Sequence, residues 1–135
     1  MKIVIDTNVV ASAMFFGGKP RRLLEMLIAH DLDAYASLEI IAEYKETAEE
    51  LQARYPGKSV QLPLGMIIGA MKLISPVSGI RACRDPDDDK FIECALDAKC
   101  LYVVSGDKDL LTVRQYQNVQ IVTVAEFLMK YKPDV

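Results

Sequence analysis

The chain has 135 residues, 16 basic and 19 acidic side chains, a net charge of −3, and a half-hydrophobic composition. These values suit one domain, residues 1–135, with a full core and no disulfide or metal staple, and they argue against polyanion binding through bulk charge. One histidine, His30, and three cysteines at no ligand spacing (Cys83, Cys94 and Cys100) support neither a zinc site nor a histidine-based triad.

Ile3 to Ile5 is an unbroken β-branched run, which suits a central parallel strand covered on both faces. Asp6 follows at once and should mark the strand's carboxyl end, where open α/β sheets place their ligand crevice. Thr7 and Asn8 form a turn and cap before a short helix over Val9 to Met14. Phe15 to Pro20 is a turn with an apolar lip. Arg21 to Ala29 reads as a helix with Leu23, Leu24, Leu27 and Ile28 on one face. Asp33 to Ala36 is a weaker strand. Ser37 caps a helix over Ile40 to Ala53, on which Glu43 flanks the apolar stripe.

Pro56 and Gly57 break the chain. A helix is expected over Ser59 to Leu73, interrupted early by Pro63, with a short edge strand near Leu73 to Val77. The apolar stretch Leu62 to Ile74 carries Pro63, Gly65, Gly69 and Lys72 and is no membrane span. The N-terminus shows no signal peptide, so a cytoplasmic location is expected. Asp85 can cap, with Pro86 at the first helical position, and Phe91 to Ala98 is the helix body. Leu101 to Val104 is a second continuous apolar strand, followed by Ser105, Gly106 and Asp107. A short helix starts at Leu110, Val119 to Val122 is a last strand, and Thr123 caps a closing helix over Val124 to Tyr131. Cys94 and Cys100 read as core residues, and His30 as solvated. Strands alternating with helices mean a three-layer α/β domain with a mostly parallel sheet.

Two central-type strands thus end in an acid, Asp6 and Asp107. If the strands are neighbours at a switch point, both carboxylates enter one crevice. Asp85 to Asp89 crowd a helix start, where the dipole accounts for some of them. Asp89 precedes Ile92 and Leu96 by three and seven residues and so faces inward, which is unusual for an acid without a partner. Acids converging with no lysine or arginine between them repel and raise one another's pKa. Divalent cations remove that conflict, and oxygen donors without histidine or cysteine suit Mg²⁺ or Mn²⁺. Two such ions about 3.5–4 Å apart can stabilise the attacking water and the leaving oxygen of a phosphodiester.

Ile5-Asp6-Thr7-Asn8-Val9, Glu43, Asp88-Asp89-Lys90-Phe91-Ile92-Glu93-Cys94-Ala95 and Val104-Ser105-Gly106-Asp107-Lys108-Asp109-Leu110-Leu111, in this order, resemble the PIN domain family. The resemblance covers essentially the whole chain and is strongest to the VapC-like ribonucleases of toxin–antitoxin systems. It implies a three-layer α/β/α fold with strand order 3-2-1-4-5, and Mg²⁺- or Mn²⁺-dependent cleavage of single-stranded RNA. It also implies an antitoxin partner and a homodimer. Carried over by position, it makes Asp6, Glu43, Asp89 and Asp107 the catalytic, metal-binding acids, with Asp109 a fifth ligand. Thr7, Asn8 and Ser105 would support them. The register to Phe91 and Ile92 favours Asp89 over Asp85 and Asp88, and a shift of one residue would move its role to Asp88. Lys19, Arg21, Arg22, Arg84, Lys90 and Lys108 lie near the expected rim, and Arg21, Arg84, Lys90 and Lys108 are the candidates for holding phosphates. For each of these alone, an ordinary solvated charge is the simpler reading.

Two other classes compete with the nuclease. A catalytically weak PIN-like module that binds nucleic acid or a partner fits the acidic net charge. A haloacid dehalogenase-like phosphatase needs an acid two residues after Asp6, where Asn8 stands, and a response-regulator receiver needs an acidic pair and a phosphorylatable aspartate that are not seen.

Overall fold

The computed structural model describes residues 1–133. The elements are β1 (Lys2–Ile5), α1 (Thr7–Phe15), α2 (Lys19–Ile28), β2 (Asp33–Ala36), α3 (Leu38–Arg54), α4 (Leu64–Ala70), β3 (Lys72–Leu73), a 3-10 turn (Pro86–Asp88), α5 (Asp89–Asp97), β4 (Tyr102–Val104), α6 (Lys108–Val113), β5 (Gln115–Tyr116), β6 (Val119–Val122) and α7 (Val124–Lys130). The sheet order is β3-β2-β1-β4-β6-β5. This is the expected order of the five anticipated strands plus one two-residue strand, β5, which pairs antiparallel with β6 at the edge. All other pairings are parallel.

Ile3, Val4 and Ile5 are completely buried although successive side chains point to opposite faces of the sheet. Both faces are therefore covered, as the β-branched run implied. Helix α5 packs across β1, β2 and β4, while α7 packs on β4. Each buried aliphatic side chain contributes roughly 2 kcal/mol of transfer free energy. The core also takes in Cys94 and Cys100, and His30 lies exposed in a turn at φ +64°.

Two departures from expectation have local causes. Residues 59–62 do not join a helix with 64–70. Pro63 has no N–H to donate and stands as the N-cap of α4, while the amides of Gln61 and Leu62 both donate to the Met14 carbonyl at 2.9 and 3.2 Å. The edge strand also comes earlier than Leu73 to Val77, at Lys72–Leu73, paired to Tyr35 and Ala36 of β2. No helix among the described residues is long and apolar enough to cross a membrane.

The segment after β3 has no regular structure, and its backbone donors go to one face of α5. Asp97 accepts from the amides of Val77 and Ser78 at 2.6 and 3.1 Å, and also from the Ser78 hydroxyl. Glu93 accepts from Gly79 at 2.6 Å. Asp89 accepts from Ala82 and Cys83 at 3.0 and 2.7 Å through one oxygen, Oδ1. Residues four apart on a helix lie above one another, so three carboxylates form a ladder that fastens residues 77–83 along α5.

Candidate active site

Strand register builds the site first. β1 and β4 are parallel neighbours with Ile5 opposite Val104, and the Asp6 amide donates to the Val104 carbonyl at 2.9 Å. Asp6 and Ser105 therefore leave the sheet side by side. Ser105 is fully buried, and its hydroxyl donates to Asp6 Oδ2 at 2.7 Å while accepting from the Asp107 amide at 2.9 Å. One small polar side chain thus links the two strand ends. Asp6 Oδ1 caps α1 through the Thr7 amide at 2.7 Å, and Asp107 caps α6 through the Leu110 amide at 3.1 Å. The cap of α1 is thus Asp6, with Thr7 and Asn8 inside the helix where the sequence suggested a turn and cap, and capping leaves Asp6 and Asp107 with lone pairs for other partners.

Helix α3 brings the third acid. The buried Tyr44 hydroxyl donates to the Ile5 carbonyl, which pins α3 over the end of β1. Glu43, one residue earlier, is thereby set against Thr7, whose hydroxyl donates to Glu43 Oε2. Glu46, Thr47 and Glu50 continue the same helical face along the crevice. Glu46, Thr47 and Glu50 stand three, four and seven residues after Glu43, a spacing that places them on its side of the helix.

The 3-10 turn ahead of α5 decides which of the clustered aspartates joins. Asp85 caps that turn through the Asp87 amide at 3.0 Å. Asp89 is buried and engaged by Ala82 and Cys83, and it does not line the crevice. Asp88 does line it, with Asp87, Asp6 and Asp107, and makes no capping bond of its own. The crevice, about 320 Å³, also takes in Asn8. Among the described residues, one carboxylate oxygen from each of Asp88, Asp107 and Asp109 lies within 4.8 Å of the others.

On this side the carboxylates around Asp88 outweigh the opposing charge of Lys90. Burial and the neighbouring Asp107, Asp85 and Asp6 push the Asp88 carboxyl up to about 7. Burial also raises Asp6, against the bonds from Ser105 and Thr7 that favour its ionised form. Clustered oxygen donors with elevated carboxyls, and no histidine or cysteine lining the crevice, fit a hard divalent ion such as Mg²⁺ or Mn²⁺.

The basic residues are arranged differently from the rim that the sequence suggested. Lys90 is buried. Its ammonium lies 2.8 Å from Glu43 Oε1 and 3.6 Å from Asp87 Oδ1, and donates to the Asp87 carbonyl at 2.7 Å. Burial lowers its pKa, but Glu43 and Asp87 more than offset this and keep it charged. A lysine does stand among the acids, then, on the α3 side. Arg21 donates to the carbonyls of Phe16 and Ala13, at the end of α1. Lys19, Arg22, Arg84 and Lys108 are exposed, and none of them lines the crevice. Phe15 is core, while Phe16 is exposed with Lys58 over its ring.

A mostly parallel α/β/α sheet whose switch point opens into an acidic crevice defines the class: an α/β domain with its polar centre at the carboxyl ends of β1 and β4. The sequence matches the PIN domain family over residues 2–109, most of the chain, and the protein belongs to that family. It is 29% identical over 145 aligned residues to the uncharacterised protein MJ1680 of Methanocaldococcus jannaschii, an alignment that covers 98% of this chain and 92% of that one. Its fold is similar to a chain in the crystal structure of VapBC2 from Rickettsia felis bound to a DNA fragment from its promoter. The TM-score is 0.56 at 13% identity, covering 90% of this chain and 97% of that chain.

Proposed function

We propose that this protein is a Mg²⁺- or Mn²⁺-dependent endoribonuclease that cleaves single-stranded RNA in the cytoplasm as the toxin of a toxin–antitoxin pair. Residues 1–135 act as one domain. The carrying observation is the meeting of Asp88, Asp107 and Asp109 beside Asp6, from three separate places in the sequence. Membership of the PIN domain family and the fold shared with VapBC2 support the reading.

Asp6, Asp88, Asp107 and Asp109 hold the ion, and Asp88 takes the part that residue register alone gave to Asp89. A divalent ion bound there supplies charge stabilisation to the attacking water and the leaving oxygen of a phosphodiester. The protein's own contribution is preorganisation. Ser105 fixes Asp6 against Asp107, and the cap bonds hold each carboxylate before any ligand arrives. The exposed Arg84 and Lys108, with Lys19 and Arg22, remain for phosphate contact, since Arg21 and Lys90 have partners inside the protein. An extended single strand suits an open, shallow crevice. A second copy and an antitoxin peptide would cover the exposed apolar residues Phe16, Met66 and Leu73.

The Lys90–Glu43 ion pair favours a second reading, a catalytically weak binding module, because it neutralises one of the acids. Cleavage of single-stranded RNA with Mg²⁺ or Mn²⁺ decides between them. The nuclease reading expects cleavage by wild type and at least a hundredfold less by Asp6→Asn. Equal rates would reject it, and no cleavage by wild type would favour the binding module.

A further inference from the structure

Lys90 follows the acidic run and reads from sequence as a rim charge, yet its side chain is only 6% exposed. Its ammonium has three fixed partners: Glu43 Oε1, the Asp87 carbonyl and, more distantly, Asp87 Oδ1. The ring of Phe91 lies 5.3 Å away. A long side chain fixed this way has lost the mobility that a surface phosphate contact would use. A buried ammonium costs several kcal/mol unless it is paired and hydrogen-bonded, so its partners determine where it sits.

Glu43 is the other half of the arrangement. One of its oxygens meets Lys90 and the other accepts from Thr7. Both oxygens are engaged by donors of the protein itself, and one donor carries a full positive charge. Across the crevice the oxygens of Asp88, Asp107 and Asp109 come together, and among the described residues none of the three is ion-paired to a lysine or arginine. The pairing is therefore uneven across the crevice: Lys90, in the first turn of α5, is paired with Glu43 and Asp87, and Asp88, Asp107 and Asp109 are left without an ion pair among the described residues.

Building on the proposed metal-dependent reading, we propose that Lys90 is a positioning residue that stands in place of a second divalent ion. It fixes Glu43 and supplies the positive charge on the α3 side, so the crevice loads one divalent ion, at Asp6, Asp88, Asp107 and Asp109. Glu43 then acts through Thr7, orienting the first turn of α1 beside Asp6, and does not ligate the ion.

The test is Mn²⁺ titration of the full chain, by calorimetry and by the loss of the free-ion electron paramagnetic resonance signal, on wild type, Lys90→Met, Lys90→Arg and Glu43→Gln. Expected are one Mn²⁺ per chain in wild type and in Lys90→Arg, and one in Glu43→Gln with a Kd within about threefold of wild type. Lys90→Met, which frees Glu43, should bind two. Two ions in wild type, or a loss of affinity beyond tenfold in Glu43→Gln, would overturn the role of Lys90 and leave the nuclease reading intact. A Lys90→Met protein that binds a single ion, or that does not fold while Glu43→Gln loses Mn²⁺, also overturns it. No Mn²⁺ uptake by wild type removes the metal-dependent reading itself, and this inference with it.

Discussion

Asp88 and Asp89 are chain neighbours, and the geometry predicts opposite consequences for losing them. Asp89 Oδ1 accepts two backbone N–H groups, at 3.0 and 2.7 Å, from a buried position. Hydrogen bonds to a charged acceptor contribute about 1.5–3 kcal/mol each, and Ala82 and Cys83 are partly exposed, so the lower end applies. Asp89→Ala should then cost about 3 kcal/mol. Unfolding entropy of about 2.1 cal/mol/K per residue gives about 0.28 kcal/mol/K for a chain of this length, so Tm should fall by about 10 °C. Asp88 caps nothing and sits among Asp107, Asp85 and Asp6. Asp88→Asn should leave the metal-free Tm unchanged or slightly raised. Its loss shows with the ion: Mn²⁺ at about 100 times Kd stabilises wild type by about 2.7 kcal/mol, again near 10 °C. Asp88→Asn should lose that rise, and Asp89→Ala should keep it. Thermal melts with and without Mn²⁺ measure all four values. If Asp89→Ala melts like wild type but ignores Mn²⁺, while Asp88→Asn melts low and responds, the assignment of the two acids is reversed.

Three further outcomes follow from the same geometry. The folded protein holds the Asp88 proton up to about pH 7, whereas the unfolded chain releases it near the ordinary value of 3.8; stability without metal should therefore fall as pH rises from about 4 to 7, with Asp6 acting in the same sense. The carboxyl of Asp97 is held below its usual range and acts oppositely, but only in more acid solution. Melts in a chelator across that window should show a flatter slope for Asp88→Asn, and an identical slope would remove Asp88 as the cause. Ser105→Ala deletes the link between Asp6 and Asp107 and should weaken Mn²⁺ binding by about 10–100-fold in calorimetry. Unchanged affinity would show that the two acids are placed without it. Thr123 closes a reciprocal capping box with Glu126 at the start of α7, so Thr123→Ala should lower Tm by about 3–4 °C, near 1 kcal/mol, while the Mn²⁺ response persists.

What the sequence made legible was whatever local chemistry decides. A β-branched run ending in an acid identifies a buried parallel strand and its carboxyl end, and β1 and β4 both lie where Ile3 to Ile5 and Leu101 to Val104 indicated. Ser37 and Thr123 announce their helices for the same reason, since a cap needs only the next three residues. Residues 59–62 were illegible because the amides of Gln61 and Leu62 bond to Met14, far away in the chain. The periodicity around Asp89 correctly marked it as inward-facing, but periodicity gives the side of a helix and not what lies on that side. There it meets the backbone of Ala82 and Cys83, and the 3-10 turn swings Asp88 to the crevice instead. Lys90 could not be read as buried from its neighbours alone, because its partner Glu43 comes from α3. The spacing of Asp89, Glu93 and Asp97 was visible, though nothing in it named the strip of chain that it fastens.

That strip is gripped by its main chain. Except at Gly79, whose φ of +61° favours glycine, each N–H that α5 claims between residues 77 and 83 is one that any residue but proline would offer in the same place. Arg81, beside the rung at Asp89, and Val77, at the Asp97 end of α5, are exposed, and exchanging them would alter surface charge and shape without loosening a single rung. A protein built this way can redraw the outside of its polar centre while the framework beneath is inherited unchanged.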